Sequence, residues 1–247
     1  MIVAEQKTPE EIKQLVGDAE KVLVVGCGTC VTVCFAGGAK EAGVLGSLLR
    51  MSAQLEGHAK AVTEVTVQRQ CEWEYLDTIG ERVAASDVVL SLGCGVGVQA
   101  LAEHFPDAVV VPGLNTKFMG LPSEHGEWVE RCAACGSCVL GVTGGICPIA
   151  RCSKQLLNGP CGGSSDGKCE VTCGDAQPDC AWQLIYDKLK AQGRLNLIMQ
   201  IAPPKDWRTS RDGGPRKIVR KDLKLPTKET GAKETRAKET GAKDITP

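Results

Sequence analysis

The sequence predicts an α/β protein: a Rossmann-like domain built on a parallel sheet, then a small cysteine-rich module, then a disordered polar tail. Three observations carry this prediction. Short apolar runs alternate with helical segments over about the first 120 residues, the pattern that right-handed crossovers turn into a parallel sheet. From about Glu124 that alternation stops, and residues 132–180 are crowded with cysteine and glycine without any period. Near the C-terminus the segment Lys-Glu-Thr-Gly/Arg-Ala occurs three times between Lys228 and Ala242, a low-complexity composition that buries nothing. The expected divisions are therefore 1–123, 124–200 and 201–247.

Each element has its own signal. Thr8-Pro9-Glu10-Glu11 reads as a helix start, with Thr8 as N-cap, Pro9 in the first turn and Glu11 closing a capping box; the helix is expected to end near Gly17. Lys21–Val25 is an apolar run leading into Gly-Cys-Gly, hence a buried strand. A helix is expected over roughly 46–56, and a β-branched strand over Val62–Val67. Glu74–Ala85 reads as one helix, Asp87–Leu92 as a strand ending in a second Gly-Cys-Gly, Val96–His104 as a helix and Ala108–Val111 as a fourth strand. Trp182–Gln192 regains helical spacing, with Leu184, Ile185 and Leu189 on one face.

Composition excludes several function classes. With 29 Lys and Arg against 30 Asp and Glu, no basic excess calls for nucleic acid. No stretch approaches the roughly 18–20 consecutive apolar residues of a spanning helix, so no membrane insertion is expected. The opening residues lack the basic start and apolar run of an export signal, so a cytoplasmic setting is expected. In a reducing compartment, the fourteen cysteines at short spacing are better explained as metal ligands than as disulfides. The module also looks too poor in apolar side chains to fold around a core, and metal is expected to stabilise it.

The cysteines fall into two groups. Cys27, Cys30 and Cys34 form C-x2-C-x3-C after the first strand; Cys71 follows the second strand and Cys94 the third. Segments that follow parallel strands emerge at one end of the sheet, so these five are expected on one rim, where open α/β folds bind ligands. Four thiolates suit a 4Fe–4S cluster, leaving a fifth as spare or alternative ligand; four cysteines also make a closed zinc site, and ligand count does not separate the two. Gly93-Cys94-Gly95-Val96-Gly97 hints at a dinucleotide turn, but the G-x-G-x-x-G spacing is not met.

In the second group, Cys132, Cys135 and Cys138 form C-x2-C-x2-C, the first three ligands of a ferredoxin run, while the Cys-Pro pair that should follow lies further on at Cys147-Pro148. Cys152, Cys161, Cys169, Cys173 and Cys180 complete nine thiols, enough for two four-ligand sites: two clusters, or one cluster and one zinc. No G-x-S-x-G, P-loop or H-E-x-x-H is present, and His58, His104 and His125 have no ligand spacing. Clusters without a catalytic apparatus suggest an electron relay.

Longer motifs resemble one family. They are Pro112-Gly113-Leu114-Asn115-Thr116, the Cys132–Cys138 run, Thr143-Gly144-Gly145-Ile146-Cys147-Pro148, Arg151-Cys152-Ser153-Lys154, Asn158-Gly159-Pro160-Cys161-Gly162-Gly163, Lys168-Cys169-Glu170 and Asp179-Cys180-Ala181-Trp182. Val25–Cys30 and Arg69-Gln70-Cys71-Glu72 fit as well. Together, over about residues 10–195, they resemble the small cysteine-rich subunit, or C-terminal fusion domain, of acetogen-type methylenetetrahydrofolate reductase. The resemblance implies a role in one-carbon metabolism, in the Wood–Ljungdahl pathway, beside a TIM-barrel subunit that holds FMN and reduces methylenetetrahydrofolate. It also implies an electron donor such as ferredoxin or a heterodisulfide-reductase-like module, and two or three 4Fe–4S clusters with zinc as an alternative. Cys173 matches no family motif and is set aside, which leaves thirteen candidate ligands and no catalytic residue.

Overall fold

In the computed structural model, residues 1–57, 59–172 and 177–223 are described. His58, Cys173 and the Lys-Glu-Thr repeat lie outside them. The elements run β1 (Ile2–Gln6), α1 (Pro9–Val16), β2 (Lys21–Cys27), α2 (Cys30–Val33), α3 (Ala39–Leu55), β3 (Ala61–Val67), α4 (Trp73–Asp77), α5 (Gly80–Ala84), β4 (Val88–Ser91), α6 (Gly95–His104), β5 (Val110–Pro112), β6 (Leu114–Glu124), β7 (Glu127–Cys132), α7 (Pro148–Arg151) and α8 (Ala181–Ala191).

The four strands expected from the apolar runs form a parallel sheet in the order β3-β2-β4-β5. β2 lies inside it, and Val22, Leu23, Val24 and Val25 are all 1 % exposed or less. Alternation sends them to opposite faces. Val22 and Val24 join a core with Ile12 and Val16 of α1 and Ala42, Leu45 and Leu49 of α3. Leu23 and Val25 join a second core with Leu76, Ile79 and Val83, and with Ala100 and Leu101 of α6. A strand covered on both faces reads as a continuous apolar run, and each such side chain contributes about 1.5–3 kcal/mol by leaving water.

The α1 start is as the capping box requires: Thr8 Oγ1 accepts from the Glu11 N–H (3.2 Å), and the Thr8 N–H donates to Glu11 Oε2 (3.0 Å). That second bond is the main cause holding the Glu11 carboxyl below the usual carboxylate range. Three elements differ from the sequence reading. α3 begins at Ala39 and runs through Gly43 and Gly46; Gly46 serves a close approach, since a Cβ there would meet the Glu64 carboxylate. The helix expected over Glu74–Ala85 is two short ones, interrupted at Thr78-Ile79, where the Thr78 hydroxyl donates to the Tyr75 carbonyl (2.7 Å). Ile2–Gln6, assigned no structure from sequence, pairs antiparallel with β6, which pairs with β7, giving a second sheet in the order β1-β6-β7.

The β6–β7 hairpin runs across residue 124, where the texture of the sequence changes, and residues 1–205 form one compact unit. The cysteine-rich stretch has little regular structure beyond α7 and α8, but it does possess a small core. Cys180, Trp182, Ile185 and Leu189 are buried there, with Ile146, Cys152, Leu156 and Leu197 packed on them. Of the expected helical face, Ile185 and Leu189 are fully buried, while Leu184 is half-buried. Residues 206–247 form a second unit, whose described part contains only single 3-10 turns at Trp207–Thr209, Arg211–Gly213 and Lys221–Leu223. Among the described residues no helix is long and apolar enough to cross a membrane.

Candidate metal centres

The parallel sheet delivers its cysteines to one end. β2 finishes at Cys27, in register with Val67 at the end of β3, and Val25 pairs with Ser91 at the end of β4. The chain passes from β2 to β3 on one side, then crosses to β4 on the other, so β2 and β4 flank a topological switch point, the crevice where open α/β sheets bind ligands. The segments bearing Cys27, Cys71 and Cys94 leave the sheet at this end, and Cys27 and Cys94 both act electrostatically on Cys71. Loss of water around its sulfur pushes the Cys71 thiol up although the residue is exposed; the neighbouring Cys27, Cys94 and Glu72 push the same way, against a hydrogen bond from its own backbone.

The other two thiols of the group differ. Cys30 opens α2, half-buried, three residues after Cys27. Cys34 is buried in the core beside β1, and its thiol points to the carbonyls of Ala4 and Val31, 3.6 Å from each. Cys27 is buried in the same core, and Cys34 differs from it in lying against β1.

Two polar residues that the sequence reading passed over organise the rim. Gln70 is fully buried; its Nε2 donates to the Val25 carbonyl (2.8 Å) and its Oε1 accepts from the Ser91 hydroxyl (2.5 Å). Ser91 Oγ in turn accepts from the Gly93 N–H (3.1 Å). A Cβ on Gly93 would lie 2.4 Å from Gln70 Oε1, and one on Gly97 would lie 2.9 Å from Gln70 Cβ. The glycines that hinted at a dinucleotide turn therefore have a local role, making room for this side chain. Thr116 of β6 reaches the same place from the antiparallel sheet, its Oγ1 accepting from Gly95 N–H (2.8 Å) at the first turn of α6, directly after Cys94. Only Gln70's adjacency to Cys71 and Thr116's place in a quoted motif were visible beforehand.

In the module, Cys132 ends β7, and the C-x2-C-x2-C loop that follows is wound tightly. Ala134 and Gly136 take left-handed backbone conformations (φ 50° and 85°), and the Ala134 N–H donates to Cys132 Sγ (3.4 Å). Cys147 N-caps α7, its sulfur accepting from Ala150 N–H (3.5 Å), and α7 packs against β7. Burial of the nearby Arg151 guanidinium pushes its pKa down, and Arg131 adds to this, against Asp179 and Cys147. Cys161 and Cys169 both act electrostatically on Lys154. The Cys161 thiol lies 3.7 Å from Glu170 Oε1, which is ion-paired with Lys154, and Cys169 Sγ lies 3.9 Å from the Ser153 hydroxyl. Cys152 and Cys180 belong instead to the small core.

The donor chemistry fits a soft metal or an iron–sulfur cluster: both groupings are built on thiols, with no imidazole among them. The side chains as placed do not complete a site, since among the described residues no group of three or more His, Cys, Asp or Glu is disposed to hold a metal ion. Cys27 and Cys94 both act electrostatically on Cys71 at the rim, and Cys161 and Cys169 both act on Lys154 in the module; among the described residues these thiols are not disposed as a closed ligand set.

No curated protein and no solved structure matches this chain. A family model described as methylene-tetrahydrofolate reductase C terminal matches residues 111–208, from the end of β5 through the hairpin, the cysteine module and α8. The rim cysteines precede that match, and Thr116, which touches the rim, lies within it. Over residues 111–208, about two fifths of its length, the chain is similar to the methylene-tetrahydrofolate reductase C-terminal domain family.

Proposed function

We propose that this chain is the iron–sulfur electron-transfer subunit of a methylenetetrahydrofolate reductase, passing electrons towards the FMN of a TIM-barrel catalytic subunit. One observation supports this reading above the rest: three cysteines far apart in sequence lie on segments that leave one end of a parallel sheet, in a chain whose residues 111–208 match a reductase domain family. At the rim, Cys27, Cys30, Cys71 and Cys94 would be the ligands, with Cys34 left in the core. In the module, Cys132, Cys135, Cys138 and Cys147 would form one set, and Cys161 and Cys169 would belong to another with Cys152 and Cys180 as the remaining thiols. A bound 4Fe–4S cluster stores and releases one electron at a time. The chain's own part is to hold thiolates at fixed places and to present backbone N–H groups, those of α6 and the Ala134–Gly136 turn, that favour negative charge on sulfur.

Substrate reduction needs a pocket with acid–base groups, and the motifs for such chemistry are missing here, so the reaction itself belongs to the partner. Ferredoxin or a heterodisulfide-reductase-like module would be the donor. The test is metal analysis and spectroscopy of the anaerobically purified chain: about 8–12 irons with the brown colour of 4Fe–4S centres is expected. A colourless chain holding zinc alone would refute the relay and leave a structural scaffold in its place.

A further inference from the structure

The rim has a single keystone. Gln70 is a neutral amide with no exposed surface, an expensive thing to bury unless each of its groups is matched. Its amide orientation is fixed by chemistry, because a carbonyl such as that of Val25 takes only a donor, which must be Nε2. The other end then accepts from Ser91, freeing the Ser91 oxygen to accept from Gly93 N–H. The residues of this chain of bonds stand one to three residues from a rim thiol: Gln70 beside Cys71, Val25 two before Cys27, Ser91 three and Gly93 one before Cys94. The tie crosses the sheet from the segment after β3, over β2, to the end of β4. Gly93 and Gly97 leave the space it occupies.

We propose that Gln70 is the positioning residue of the rim, fixing how the segments that carry Cys27, Cys71 and Cys94 stand relative to one another. The proposal rests on the reading that these thiols act as one set. A merely structural glutamine would stabilise the whole chain evenly; a positioning glutamine controls how the three thiols stand relative to one another.

The test uses the full chain, reduced, anaerobic and stripped of metal by chelation. A short bifunctional thiol reagent is applied, and the linked peptides are quantified by mass spectrometry. In the parent, links from Cys71 to Cys27 and to Cys94 are expected, and their absence would overturn the proposal. In Gln70→Met, which keeps the volume and removes both hydrogen bonds, these links are expected to fall about thirtyfold, the population change that two lost buried hydrogen bonds of about 1 kcal/mol each produce. Ser91→Ala should act in the same direction and carries the test if Gln70→Met does not fold. Val83→Ala, a truncation in the core on the opposite side of the sheet from α1 and α3, supplies the comparison: it lowers the unfolding midpoint and should leave the links unchanged. Links that persist at the parental level in both rim variants, or that fall equally in Val83→Ala, overturn the proposal. Iron uptake by the parent and by Cys71→Ala is measured in parallel. Equal uptake with the expected change in links would refute the metal reading of the rim while the positioning role stands.

Discussion

Gly37→Ala is expected to be among the most damaging single-methyl additions in the chain. Gly37 is buried after α2, its carbonyl accepts from the Cys27 N–H (2.9 Å), and a Cβ there would lie 2.0 Å from the Leu92 carbonyl oxygen. That atom is backbone, so no side-chain rotation relieves the clash, and Leu92 itself donates to Val25 (2.8 Å) at the end of β4. Overpacking of this kind costs about 1–3 kcal/mol, and losing one buried backbone bond adds about 1 kcal/mol, for about 2–4 kcal/mol in total. Gly43→Ala is the matched control: it lies inside α3 with nothing within 4 Å of the added carbon, so it should stabilise by about 0.5–1 kcal/mol through helix propensity. Urea unfolding followed by far-ultraviolet circular dichroism would measure both from the shift in midpoint at constant slope. A Gly37→Ala protein within about 0.5 kcal/mol of the parent, the range of an ordinary surface change, would refute the reasoning.

Other outcomes follow from the same geometry. Trp182→Ala removes a buried indole that donates to the Leu156 carbonyl (3.0 Å) and against which Gly159 packs; a loss of about 3–5 kcal/mol is expected, read as much faster tryptic cleavage at Lys154 and Lys168, and unchanged cleavage would contradict it. Cys34→Ala should leave metal content at the parental value, whereas Cys71→Ala should lower it; equal losses would show that Cys34 is a ligand after all. Thr8→Val removes the α1 cap at a cost of about 1 kcal/mol. Because the Thr8 N–H lowers the folded-state pKa of Glu11, the stabilisation from that bond is present above the ordinary carboxylate pKa and is lost as pH falls through the folded value. An NMR titration of the Glu11 carboxyl that gives an ordinary value would show the bond is not formed.

The parts of the fold legible in the sequence were those set by local rules. The Thr8 capping box and the apolar runs of β2 and β4 carry their own patterns, and strand-following cysteines converge by topology alone. Non-local pairing was not legible. β1 is five residues without a clear alternation, and it becomes a strand because β6, more than a hundred residues away, offers it a partner. α3 was foreshortened because Gly43 and Gly46 look like helix breakers until Glu64 is seen to need the space. Gln70 was invisible because nothing in a sequence distinguishes a buried, matched amide from a solvated one. The five rim thiols looked equivalent; the structure buries Cys27 and Cys34, and turns the Cys34 thiol to the carbonyls of Ala4 and Val31.

The antiparallel sheet has a practical consequence for dissecting the protein. The family match begins at Val111, and a fragment cut there would keep β6 and β7 but lose β1. β6 would then present an open strand edge, with the main-chain groups that now serve residues 2–6 exposed, a template for pairing with other copies. Such a fragment is expected to associate through that edge. Residues 2–6 thus act as a protective cover for the β6 edge, and fragments intended to stay monomeric need them supplied.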